Sequence, residues 1–135
     1  MSSTETATNI TKIGVVVVPV TDQERALEFY VGKLGLEVRA DAPFGEGYRW
    51  LEVAPAGAET TVAIVPPPPD GGAVGVQTGI VFSSDDLEAD YAALRERGVD
   101  VDAEIARMGA PVPDMFWFRD PDGNSLLIVQ RSEGA

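Results

Sequence analysis

The chain reads as an α+β fold of two tandem β-α-β-β-β modules, whose strands form a curved mixed sheet with a concave cleft and helices on the outer face. Two observations predict it. The first is an internal repeat. Val15-Val16-Val17-Val18-Pro19-Val20-Thr21-Asp22 corresponds to Gly79-Ile80-Val81-Phe82-Ser83-Ser84-Asp85-Asp86, an offset of 64 that also places Ala63-Ile64-Val65 on Leu127-Ile128-Val129. With a one-residue slip, Lys33-Leu34-Gly35-Leu36-Glu37-Val38 falls on Arg97-Gly98-Val99-Asp100-Val101. The second is that each copy alternates short β-branched runs with one stretch of apolar residues at helical spacing. A lone copy is a sheet with one bare face. Pairing two copies hides much of that face and leaves a cleft between them.

Thr11 to Val20 begins the first copy with a valine-rich run that reads as a buried strand. Thr21 or Asp22 then caps a helix at its N-terminus, whose apolar stripe is Ala26, Leu27, Phe29, Tyr30 and Leu34 and whose stop is Gly35. Leu36 to Arg39 starts the second strand, and Asp41 to Gly47, holding Pro43, Gly45 and Gly47, reads as a loop. Tyr48 to Val53 and Thr60 to Val65 are strands joined by a turn through Pro55-Ala56-Gly57. Pro66-Pro67-Pro68-Pro69-Asp70-Gly71-Gly72 separates the copies, because four prolines remove four donors and fix φ. In the second copy Gly79 to Phe82 is strand, and Asp85 or Asp86 opens a helix with Leu87, Tyr91 and Leu94 that ends at Gly98. Val99 to Val101, Met115 to Phe118 and Ser125 to Gln130 are the remaining strands. Ala106 to Pro113 is a loop, and Asp120-Pro121-Asp122-Gly123-Asn124 a tight turn valued for its backbone geometry. We therefore divide a single domain, 1–135, into a first module (11–65), a Pro/Gly-rich linker (66–75) and a second module (76–131).

Length and composition suit one globular domain: 135 residues, 44% hydrophobic and 24% charged. The polar stretch from Met1 to Asn9 has neither a basic start nor an apolar core, so it reads as a tail and not as a secretory signal, and cytoplasm is the expected location. A net charge of −12 repels phosphate backbones and argues against nucleic-acid binding, while no apolar run is long enough for a membrane span. The absence of cysteine excludes disulfides and thiol catalysis, and histidine is absent too.

The order of elements resembles the glyoxalase / bleomycin-resistance / extradiol-dioxygenase superfamily, the vicinal oxygen chelate proteins. Carrying the resemblance are Val20-Thr21-Asp22, Ala26, Phe29-Tyr30 and Leu34-Gly35-Leu36 in the first half. In the second half Ser84-Asp85-Asp86-Leu87 and, most specifically, Phe118-Arg119-Asp120-Pro121-Asp122-Gly123-Asn124 carry it. It covers about residues 12 to 131. In metal-dependent members the ligands sit on the first and fourth strands of each half. The resemblance puts Val15, Ala63, Gly79 and Leu127 at those places, none of which offers a side-chain N or O donor. It thus implies the scaffold with no metal and no other cofactor, and it implies a homodimer with clefts shared between chains.

Strand alternation distributes the side chains. Val16, Val18 and Val20 pack under the helix. Val17, Tyr48, Trp50, Glu52, Ala63, Val81, Met115, Trp117 and Leu127 face the cleft, with Phe44 and Met108 on adjustable loop walls. Phe118 goes to the core. Such a lining suits an aromatic small molecule held by stacking and burial. Loop acids Asp41, Glu46 and Asp114 are placed to meet a cationic group, though solvated surface suits each as well. The expected function is binding of an antibiotic or other toxic natural product, aromatic or cationic or both, by sequestration and without catalytic residues. Two alternatives stay open: a metal-independent isomerase, lyase or cyclase using Glu52 as a base of raised pKa, and a regulatory module with no small-molecule role.

Overall fold

In the computed structural model, residues 8–45, 47–68 and 72–132 are described, with Tyr48 described for its backbone alone. Most of the N-terminal tail, Glu46 and the centre of the proline linker lie outside them. The elements run β1 (Val15–Pro19), α1 (Gln23–Leu27) continuing as a π-helical segment (Glu28–Lys33), β2 (Glu37–Phe44), β3 (Tyr48–Ala54) and β4 (Thr61–Val65). The second half gives β5 (Gln77–Ser84), α2 (Leu87–Glu96), β6 (Asp100–Val101), β7 (Met115–Arg119) and β8 (Ser125–Gln130). The strands form two four-stranded mixed sheets, ordered β1-β4-β3-β2 and β5-β8-β7-β6. In each, the first strand runs parallel to the fourth and the other neighbours are antiparallel.

Both helices begin on an aspartate. Asp22 accepts from the Arg25 N–H at 3.1 Å and Asp86 from the Ala89 N–H at 3.1 Å, each satisfying one donor the first turn leaves open. Both helical stretches stop at a glycine with φ of +81°, Gly35 and Gly98, a conformation in which a Cβ would clash with the backbone. Two features depart from the sequence reading. The first helix widens: Leu34 N–H donates to Phe29 C=O at 3.0 Å, a five-residue step. Its strand β2 runs on to Phe44, so Asp41 to Phe44 is strand and not loop. An edge strand tolerates Pro43 because one side of its ladder needs no donor.

The core lies between the helices and one face of each sheet. Val18, Val20, Leu51, Val53, Val62 and Ile64 supply it from the first sheet, and Phe116, Phe118, Leu126 and Ile128 from the second. Phe29 and Tyr30 cover it from the first helix, Leu87 and Leu94 from α2. The core is continuous across the halves, since the Phe29 ring stacks on Phe118 at 6.1 Å between centroids. Removing such a buried ring costs about 3–5 kcal/mol.

Polar bonds also join the halves, and here the turn after β7 does more than shape the backbone. Tyr30 Oη, fully buried, donates to Asp120 Oδ2 at 2.8 Å. Thr21 Oγ1 donates to Asp122 Oδ1 at 2.6 Å, and Arg25 pairs with the same carboxylate at 3.1 Å. Buried Asn124 donates through Nδ2 to the Pro19 carbonyl at 2.8 Å. The place related to this one by the repeat is different. There Ala56 stands where Asp120 does, Leu94 where Tyr30 does, and both line a cavity of about 300 Å³ with Leu34, Leu36, Phe82 and Phe118.

Candidate functional site

The face of each sheet opposite the helices is open in the single chain. Pairing registers decide which residues share it. On the first sheet Val17 lies beside Ala63, which lies beside Glu52, which lies beside Ala40. Trp50, two residues from Glu52, points the same way. On the second sheet Val81, Leu127 and Trp117 form the corresponding row, with Ser83, Val129 and Met115 forming the next. Val17 and Val81 are about half exposed (53% and 52%), apolar surface on β1 and β5 where the two strands come into contact. Phe44, also exposed, sets its ring edge-to-face on Trp50 at 6.1 Å.

Not every expected residue offers surface. Ala63 is on this face but fully covered by its neighbours, so no ligand can touch it in the chain as it stands. Met108 is exposed on its loop, and the side chain of Tyr48 lies outside the described residues. That loop is pinned: Ala106 and Met115 exchange backbone hydrogen bonds, and Arg107 bridges Glu88 of α2 and Asp114 at 2.9 and 2.8 Å. Asp114 therefore has its cation already, as does Asp41, 3.0 Å from Arg49. Neither is the free acid its sequence position suggested, and Glu46 lies outside the described residues. A cavity of about 510 Å³ opens between the second half's face and the Ala110–Asp114 loop, floored by Ser83 and Val129.

Glu52 carries the polar chemistry of the first half's open face. Its Oε1 accepts from Thr61 Oγ1 at 2.6 Å and its Oε2 from Trp50 Nε1 at 2.6 Å. The Thr61 bond, then the Trp50 bond, hold the carboxyl below its ordinary pKa, outweighing partial burial. The expectation of a base with raised pKa is overturned: two donors stabilise the anion, and its proton affinity falls. Sequence alternation placed Trp50 and Glu52 on one face, but only the structure shows that they meet each other and Thr61.

On the second half the charged neighbour is Arg119, on the same face as Trp117. It pairs with Asp100 and Asp102, each at 2.9 Å, and the bond to Asp100, then that to Asp102, raise its pKa. This guanidinium is neutralised within its own sheet.

The positions that carry metal ligands in relatives do not fit a metal here. Val15, Ala63 and Leu127 present only aliphatic carbon, and Gly79 sits at a register shift in β5 with no side chain. Among the described residues no group of three His, Cys, Asp or Glu side chains is placed to hold an ion.

Fold, repeat and open face together define a member of the Glyoxalase/Bleomycin resistance protein/Dioxygenase superfamily, whose family model matches residues 12–128; the chain belongs to it. It is 37% identical over 126 residues to YetH of Bacillus subtilis strain 168, an uncharacterized protein, covering 90% of this chain and 99% of that one. Among solved structures it is similar to TnmS3, an antibiotic binding protein from Streptomyces sp. CB03234: 39% identity, TM-score 0.80, 93% of this chain and 100% of that one. A superfamily member from Sphaerobacter thermophilus superposes with TM-score 0.83 at 36% identity, over 90% of this chain and 98% of that one. Among the described residues no helix is long and apolar enough to cross a membrane.

Proposed function

We propose that this chain binds an antibiotic or another toxic natural product and holds it, chemically unchanged, on the apolar and aromatic open faces of its sheets. The observation that carries the reading is the near full-length likeness to TnmS3, which is described as an antibiotic binding protein. Two features of this chain support it. Its open face combines Trp50, Trp117, Val17 and Val81, surface suited to a flat ligand. Its inventory lacks histidine and cysteine, and Glu52 has been made a weaker base. The protein acts as a homodimer in this reading, because an exposed apolar stripe along Val15, Val17 and Val81 finds cover against a second copy.

The test is a titration of intrinsic tryptophan fluorescence with a panel of planar aromatic antibiotics, followed by mass spectrometry of the recovered compound. Saturable quenching and an unaltered mass are expected. A mass change that depends on the protein moves the chain to the enzymes, and no binding across the panel removes the reading.

A further inference from the structure

Glu52 differs from the other acids beside the open faces, and from Asp122 of the turn, in what stands next to it. Asp41, Asp114, Asp100, Asp102 and Asp122 each lie within 3.1 Å of an arginine nitrogen. Among the described residues, both hydrogen-bond donors of Glu52 are neutral, the Thr61 hydroxyl and the Trp50 indole N–H, each at 2.6 Å. The carboxylate is therefore oriented and kept ionised without being neutralised. Each of its oxygens accepts one hydrogen bond and retains a lone pair for a second. Its row leads through Ala63 to half-exposed Val17, so the charge stands at the margin of apolar surface.

A ligand laid over that surface strips water from the carboxylate. An ionised group desolvated without a counter-charge is strongly unfavourable, so an uncharged flat ligand is penalised at this position and a cation is favoured. Trp50 sharpens the choice. Its N–H is consumed by Glu52, which fixes the ring and leaves a π face, itself attractive to a cation, beside the anion. From this geometry, and resting on the binding role proposed above, we infer that Glu52 sets specificity. It selects ligands that pair a flat aromatic body with a protonated amine, and the amine docks on its free lone pairs.

A matched pair of probes tests this: daunorubicin, a tetracycle bearing one protonated amine, and its N-acetyl derivative, which keeps the ring system and loses the charge. Calorimetric titration at pH 7 and low salt should show wild type preferring the amine by about tenfold or more, a preference that shrinks as salt is raised. In Glu52→Gln, nearly the same size and uncharged, the ratio should fall to within about twofold of unity while the N-acetyl compound binds as well or better. Should that variant fold poorly, Glu52→Met, similar in length and also uncharged, is read in the same way. Equal wild-type affinity for both compounds overturns the role of Glu52 and leaves the binding function standing. A tenfold preference retained in Glu52→Gln overturns it too, assigning the charge reading elsewhere. Binding of neither compound overturns both this inference and the reading of the open face as a site for flat aromatic ligands.

Discussion

Replacing Tyr30 by phenylalanine removes one oxygen and leaves the packed ring. That oxygen donates to Asp120 Oδ2 at 2.8 Å, between a fully buried residue and one that is 5% exposed. A hydrogen bond to a charged group contributes about 1.5–3 kcal/mol. We expect a value toward the lower part of that range, about 2 kcal/mol, because Asp120 keeps other donors. Asn124 Nδ2 still reaches Oδ2, and the Asp122 and Asn124 N–H groups still reach Oδ1, each at 2.9 Å. For a chain of this length the loss corresponds to a Tm lower by about 6–12 °C. Urea unfolding and calorimetry measure it, at one protein concentration for all variants, since any self-association stabilises by mass action. A cycle with Asp120→Asn isolates the pair and should return a coupling of at least about 1 kcal/mol. A loss for Tyr30→Phe below about 0.5 kcal/mol, or strict additivity in the cycle, would refute the argument that this bond ties the halves together.

The same phenol gives a pH signature. Burial first, then the charge of Asp120, pushes its pKa well above the ordinary value of about 10. The unfolded chain releases a proton that the native state keeps, so stability present below pH 10 is lost as pH rises beyond it, by about 1.4 kcal/mol per unit. Urea midpoints between pH 9 and 11 should fall less steeply in Tyr30→Phe than in wild type. Trp117→Ala should weaken a bound planar antibiotic several-fold, since an aromatic contact contributes about 0.5–1.5 kcal/mol beyond burial; a collapsed melting transition would place the ring in the core instead. Light scattering at micromolar concentration should give twice the chain mass of 14.3 kDa, and a single-chain mass would count against a shared cleft. EDTA should change neither Tm nor ligand affinity, and a chelator-sensitive Tm would show that the chain holds a metal.

Much of the fold is legible because the repeat states it twice. The pattern of Val15 to Asp22 alone is ambiguous, but its recurrence at Gly79 to Asp86 marks a strand followed by a helix start in each half, though not their exact bounds: β5 extends past Gly79 and Phe82 to Gln77 and Ser84. Alternation then sorts Val18 and Phe118 to the core and Val17 and Val81 to the open face, as their burial shows. What sequence did not yield depends on partners distant along the chain. Pro43 read as a loop breaker because nothing local says that β2 is an edge. The π-helical widening at Glu28–Lys33 has no composition signal; Phe29 and Tyr30 lie in it and meet Phe118 and Asp120 of the other half. Glu52 looked like a raised-pKa base in an apolar cleft because its lowering agents, Trp50 and Thr61, are identified only by register. Asp120 and Asp122 looked like turn formers, and their bonds to Tyr30, Thr21 and Arg25 span about a hundred residues of sequence.

The single bond between Tyr30 and Asp120 also breaks the molecule's twofold likeness to itself. Its mirror place holds Leu94 and Ala56 around an unfilled space of about 300 Å³. A chain duplicated from one module would have started with both places alike, and now only one of them holds the fastening. The two modules are consequently no longer interchangeable. A tandem of two first halves would bring Tyr30 without its acceptor, and a tandem of two second halves would bury Asp120 without its donor. Stability added by fastening the open place, with an acidic side chain at 56 and a phenol at 94, would come from restoring a symmetry the sequence has let lapse.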